Sequence, residues 1–168
     1  MSTCSLTWDT STSGGGTWTT PVAGSIDYRV QPSQEPYSGG TWCVDDPGEG
    51  SVIRQVGSAT SSITVGAGDI ATIVYTLSAK VEKKRTGYDN ATFSVDGVVE
   101  NVIASQSGPY NCFDVSETIA NQTLTLAAGT HNLSVVYDTV DEYNHTEFCG
   151  FRFILVSCHV TSAPTTTP

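Results

Sequence analysis

Apolar and polar residues alternate with a period of two along most of this chain, most clearly over Ile70–Glu82. Ala71, Ile73, Tyr75, Leu77, Ala79 and Val81 share one parity. Thr72, Thr76, Ser78, Lys80 and Glu82 share the other, with Val74 as the apolar exception. Successive side chains of a strand point to opposite faces, so this run predicts a long strand with one face in a core. Lys80–Arg85 reads as its solvated polar end, carrying four of the seven basic residues. Ala91–Val95 and Val98–Ile103 flank Asp96-Gly97, a dipeptide that suits the left-handed central positions of a two-residue hairpin turn. Leu124, Leu126, Leu133, Val135 and Tyr137 read as inward positions of two strands joined at Ala128-Gly129-Thr130.

Near the end of the chain Cys149, Phe151, Phe153 and Leu155 alternate inward on a strand of about ten residues. Ile154, Val156 and Cys158 make its opposite face apolar too. A strand apolar on both faces is central or covered by something else. Shorter strands are predicted on either side of Ser13–Gly16, over Ser25–Val30, and over Ser51–Val56 and Ser61–Val65. Gln31–Gly50, around Trp42 and Cys43, reads as a loop. A loop that long in a compact domain usually has a purpose. No stretch has a helical period. About ten short strands predict an all-β protein, an antiparallel β-sandwich of the jelly-roll type. The expected organisation is one sandwich domain over residues 1–160 and a Ser/Thr/Pro-rich tail or linker over 161–168.

Composition fits that picture. The 168 residues hold 19 Ser, 24 Thr and 16 Gly, but only 14% charged residues. Such a surface is solvated mainly by hydroxyls. No apolar run approaches a bilayer span, which argues against a membrane protein. Seven basic residues against seventeen acidic ones argue against nucleic acid, whose phosphates demand the opposite balance. The sequence Met1-Ser2-Thr3-Cys4 is not a secretory signal. Two origins fit it: synthesis and use in a cytoplasm, or export with the signal since removed.

The five cysteines, Cys4, Cys43, Cys112, Cys149 and Cys158, form no C-x-x-C pair. Cys149 and Cys158 are nine apart, so on one strand they face opposite ways and do not pair with each other. Free, buried thiols and one or two disulfides both remain open. Asn90, Asn121, Asn132 and Asn144 begin Asn-x-Ser/Thr triplets, the acceptor pattern for N-glycosylation.

Catalytic chemistry has little to stand on. His131, His145 and His159 have no metal-type spacing, and His131, after a turn, is expected to face solvent. Nucleophile-elbow, phosphate-loop and dinucleotide motifs are absent. No catalytic residue is assigned, no cofactor is required, and the protein is read as a non-enzyme. Asp138, Asp141 and Glu142, in an acidic run, are the candidate ligands for calcium, which takes six to eight oxygens. Trp42 and Tyr37 are candidates for stacking on sugar rings, whose C–H faces suit flat aromatic side chains. Ile154 and Val156 are candidates for a subunit interface.

Residues 122–137, Gln-Thr-Leu-Thr-Leu-Ala-Ala-Gly-Thr-His-Asn-Leu-Ser-Val-Val-Tyr, resemble a hairpin of jelly-roll carbohydrate-binding modules. They also resemble segments of β-rich phage virion proteins, including fibres and capsid decoration proteins. Gly15-Gly16-Thr17-Trp18-Thr19-Thr20-Pro21 is similar to openings of phage fibre segments. The resemblance implies a non-enzymatic structural protein on the virion surface, made in a host cytoplasm. Such a protein decorates or cements a capsid, or joins fibres, as a homo-oligomer such as a trimer bound to other virion proteins. The alternatives are an extracellular carbohydrate-binding module with a glycan as ligand, or an adhesin or filament subunit. A shared fold does not choose among these functions.

Overall fold

The computed structural model describes residues 1–13, 16–29, 54–82, 89–105, 114–139 and 150–162. These residues form eleven strands and no helix: β1 (Ser2–Thr3), β2 (Asp9–Ser13), β3 (Thr17–Thr19), β4 (Ile26–Arg29), β5 (Gln55–Val65), β6 (Asp69–Glu82), β7 (Asp89–Val95), β8 (Val98–Ala104), β9 (Asp114–Leu126), β10 (Gly129–Thr139) and β11 (Gly150–Ser162). One antiparallel sheet has the order β3-β4-β11-β6-β9, with β1 also on β11. The other has the order β2-β5-β10-β7-β8.

Strand pairing identifies the jelly roll. β4 pairs with β11, β5 with β10, β6 with β9, and β7 with β8. These pairs are nested, as in one long hairpin folded over into two four-stranded sheets. The N-terminal strands extend this unit. β1 lies on β11, then the chain crosses to the other sheet as β2.

The core is where the alternation places it. Every second residue of β6, from Ala71 to Val81, is buried, and so are Leu124, Leu126, Leu133, Val135 and Tyr137. Tyr75, Phe93 and Phe153 meet at its centre with ring centroids 4.8–5.4 Å apart. Trp8 closes on Phe153 edge-on at 5.1 Å. Tyr28 is fully buried beneath Trp18, and it requires glycine around it. A Cβ on Gly57 would lie 2.7 Å from the Tyr28 ring, and one on Gly16 would lie 1.9 Å from its hydroxyl.

Several expectations need correction. The segment 122–137 is not a hairpin: β9 pairs with β6 in one sheet, and β10 pairs with β5 and β7 in the other. Ala127 and Ala128 carry the chain across the core instead. The two strands expected over 51–65 are one, β5. Its small inward residues Gly57, Ala59 and Ser61 interrupt the apolar pattern without interrupting the strand. β11 has a bulge between Leu155 and Ser157 that shifts the register. Cys158 therefore turns into the core, and the opposite face is not the continuous apolar strip that simple parity predicts. Thr161 and Ser162, expected in the tail, pair with Ile70 and Asp69 as the end of β11.

Cys158 forms a disulfide with Cys4, across a 5.0 Å Cα–Cα distance and 154 residues of sequence. The Cys4 amide also donates to the Cys158 carbonyl at 3.0 Å. Cys43, Cys112 and Cys149 lie outside the described residues.

Candidate functional site at one end of the sandwich

The two ends of the sandwich differ. At one end β5 joins β6 through three residues, while β7–β8 and β9–β10 are joined through two each. The β7–β8 turn has Asp96 and Gly97 at φ +50° and +80°, the left-handed pair that Asp-Gly predicts. The register places the ends of β4, β6, β8 and β10, and the starts of β5, β7, β9 and β11, at the opposite end. Arg29 faces Gly150, Thr139 faces both Gln55 and Asp89, Asn90 faces Ala104, and Glu82 faces Asp114. The connections leaving that end have 25, six, nine and ten residues. Each joins one sheet to the other.

The framework beneath these connections is polar, although it is buried. Seven polar or charged residues are buried among the described residues. Asp27, Gln55, Asp89, Ser105 and Thr139 are at this end, and only Ser25 and Ser61 are elsewhere. Burying polar groups is costly unless they are hydrogen-bonded, and several partners are explicit. Thr139 Oγ1 donates to Asp89 Oδ1 at 2.6 Å, and the Ser105 amide donates to the Asp89 carbonyl at 2.9 Å.

On the outer face of the β3-containing sheet, Asp27 lies between two arginines. Its Oδ2 accepts from Arg152 at 3.0 Å and from Arg29 at 3.3 Å. The Asp27 side chain is 3% exposed, Arg152 33% and Arg29 49%. Asp27 Oδ1 has no partner among the described residues. The two guanidiniums thus share one carboxylate oxygen, and Arg29, about half exposed, keeps N–H donors toward solvent. Arg29 is therefore the member placed to meet hydroxyl or anionic groups, while the Asp27 carboxylate is 3% exposed.

Sequence reasoning missed this trio. Each member is a polar residue between apolar neighbours, in Ile26-Asp27-Tyr28-Arg29 and Phe151-Arg152-Phe153. Parity alone sends all three outward. What brings them together is the β4–β11 pairing, over 125 residues of sequence, which no local pattern announces.

Of the residues singled out from sequence, Asp138 is at this end, in a two-pronged ion pair with Arg54: Arg54 Nε donates to Oδ1 at 2.8 Å, and a terminal nitrogen donates to Oδ2. Both carboxylate oxygens are thus engaged by a cation. Asp141 and Glu142 lie outside the described residues, as do Tyr37 and Trp42. No group of three or more His, Cys, Asp or Glu residues suited to a metal ion occurs among the described residues. Ile154 is half-buried on the outer face opposite Thr76, and Val156 is 54% exposed at the bulge. His131 is not simply in solvent. Its Nδ1 meets Asp96 Oδ2 at 2.7 Å, and its Nε2 meets the Ala127 carbonyl at 2.9 Å.

The aromatic residues divide between the two regions. Trp8, Trp18, Tyr28, Tyr75, Phe93, Tyr137, Phe151 and Phe153 belong to the core or pack against it. The other seven of the fifteen, Tyr37, Trp42, Tyr88, Tyr110, Phe113, Tyr143 and Phe148, all fall by sequence in the four long connections.

No protein-family model matches the chain, and no curated protein matches it. Two solved structures similar to it are enzymes. One is a cycloisomaltooligosaccharide glucanotransferase of Paenibacillus sp. complexed with cycloisomaltoheptaose, at 17% identity and TM-score 0.32, covering 94% of this chain and 17% of that one. The other is a GH31 α-xylosidase of Xanthomonas citri, at 15% identity and TM-score 0.29, covering 66% of this chain and 12% of that one. This chain therefore spans a small part of either enzyme's length, and likeness at this level carries no argument about function.

Proposed function

We propose that the protein is a non-catalytic binding module that works outside the reducing cytoplasm and holds a glycan at the loop-bearing end of its jelly roll. The observation that carries this reading is the polarity of the sandwich. All four long connections leave one end, over buried polar groups and the Asp27–Arg29–Arg152 trio. The other end is closed by short turns, and the Cys4–Cys158 disulfide ties β11 to the N-terminal segment. Binding residues concentrate on loops held by a rigid scaffold. Disulfides persist in oxidising compartments. Seven aromatic residues in those connections supply flat faces for sugar rings, and Arg29 supplies donors for hydroxyls. Calcium at Asp141 and Glu142 would be an addition to this site, and Asp138 would first have to leave Arg54.

Retention on immobilised polysaccharides tests the proposal. Trp42→Ala and Arg29→Ala are expected to lose retention while the melting temperature stays unchanged. Thr64→Ala, near the short-turn end, is expected to keep it. Full retention by Trp42→Ala and Arg29→Ala together would sink the proposal.

A second reading, a virion structural protein or a filament subunit, is favoured by one feature. Val156 and Val22 are 54% and 61% exposed, and Val22 lies in the turn whose Gly24 packs on Leu155. Val156, with Ile154 two residues before it, offers exposed apolar surface suited to burial against another subunit. A defined homo-oligomer such as a trimer that Val156→Asp dissociates would support this reading.

A further inference from the structure

We propose that N-linked glycans on Asn90 and Asn132 cover the edge strand β8 and keep it from pairing with other chains. Among the described residues β8 pairs only with β7, and none of them pairs with its other side. Three of its four exposed side chains are apolar: Val98, Val99 and Val102 are 63%, 55% and 47% exposed, and the fourth is Glu100. Glu100 is its only charged residue. An exposed apolar edge is a template for aggregation, and proteins normally blunt it with charge, proline or a cover. The exposed edge strand β2 is instead Asp-Thr-Ser-Thr-Ser.

Two acceptor triplets bracket this strand. Asn90-Ala91-Thr92 is on the neighbouring β7, and Asn90 faces Ala104 at the far end of β8. Asn132-Leu133-Ser134 is on β10. The Asn132 amide donates to Asp96 Oδ1 and its carbonyl accepts from the Asp96 amide, both at 2.8 Å, so it sits beside the turn that starts β8. Both asparagines are exposed, while Ala91 and Leu133 between the triplet residues are buried. A third exposed acceptor, Asn121, is on β9 of the opposite sheet rather than on the sheet of β8, and serves as a control.

The modification requires a lipid-linked oligosaccharyl diphosphate and the transferase of a secretory pathway. The asparagine Nδ2 bonds to the anomeric carbon as the glycosyl–phosphate bond breaks. One amide proton is lost, and the lipid diphosphate leaves. The inference rests on the extracytoplasmic part of the proposed function, but not on glycan binding.

Peptide mapping by mass spectrometry of the protein from its native source reads both acceptor occupancy and the Cys4–Cys158 disulfide. Glycans at Asn90 and Asn132 with the disulfide formed are expected. Unmodified asparagines with an intact disulfide overturn this inference alone. Unmodified asparagines with free thiols overturn the compartment as well. Light scattering then reads the shielding. Asn90→Gln with Asn132→Gln is expected to at least double the mean mass as concentration rises, whereas Asn121→Gln leaves it unchanged. Adding Val99→Thr and Val102→Thr to the double variant is expected to restore the single-chain mass. A double variant that stays a single chain overturns the shielding.

Discussion

Tyr28 and Tyr75 are both buried, and burial pushes both phenols up to about 12. What their hydroxyls meet differs. Tyr75 donates to Asn101 Oδ1 at 2.5 Å, whereas the Tyr28 hydroxyl, under Gly16, has no partner among the described residues. Removing a made hydrogen bond costs about 1 kcal/mol, while removing an unmade one relieves a desolvation cost. Tyr75→Phe should therefore lose about 1 kcal/mol in urea unfolding, and Tyr28→Phe should be neutral or gain up to about 1 kcal/mol. A larger loss for Tyr28→Phe than for Tyr75→Phe would contradict this account of the core. Parity in the sequence already marked Tyr75 as inward. The glycines around Tyr28 were not legible as its partners, because Gly16, just before β3, and Gly57, in β5, reach it from distant parts of the chain.

At the scale of elements, His131 ties two turns together. It lies near the start of β10 and bridges Asp96 of the β7–β8 turn and Ala127 of the β9–β10 turn. Both ring nitrogens face acceptors, which favours the protonated ring, so hydrogen bonding to Asp96 and then to Ala127 raises the His131 pKa. The Asp96 pKa is lowered, first by the Asn132 amide and then by His131. A raised histidine pKa gives stability that is complete below about 6.5, the unfolded value, and is lost as pH rises through the folded one. A lowered carboxylate pKa gives stability that is present above about 3.9 and is lost as pH falls through its folded value. The melting temperature should therefore be higher at pH 5.5 than at pH 8.5. His131→Phe should remove much of that difference; an unchanged pH dependence in this variant would count against the bridge.

The disulfide is the other link between elements. It joins β11 to the segment between β1 and β2, which crosses to the other sheet. Closing so long a loop restricts the unfolded chain. Reduction, or Cys158→Ala, should cost about 2–5 kcal/mol, read as a lower unfolding midpoint with the β-sheet circular dichroism spectrum retained. An unchanged midpoint would mean that the bond does not form in solution. Parity turned Cys158 to the outer face, which the bulge between Leu155 and Ser157 reverses, and nothing local in the sequence pointed to Cys4. The strand at 124–126 and the strand at 133–137 were equally legible, and their pairing was not. Alternation says which side chains face inward, and two linking residues permit either a hairpin or a crossing between sheets.

For the whole molecule, the nested pairing of β4–β11, β5–β10, β6–β9 and β7–β8 separates a short-turn end from a loop-bearing end. The sandwich itself was legible, since a period of two over long segments leaves few other solutions. The site was legible only in fragments. Tyr37 and Trp42 on one side, and Asp138, Asp141 and Glu142 on the other, looked like two separate surface features because the two groups are far apart in sequence. Strand topology is what assigns their segments to one end, and it adds Asp27, Arg29 and Arg152, whose charges were hidden among apolar neighbours.

Hydrogen–deuterium exchange, with and without a soluble polysaccharide that the protein retains, tests this polarity most directly. The account predicts that protection on binding is confined to 30–53, 83–88, 106–113 and 140–149 and to the adjoining strand ends at Arg29, Arg54 and Arg152. Protection centred on the turns at 66–68, 96–97 and 127–128, or spread over the outer face of either sheet, would contradict it.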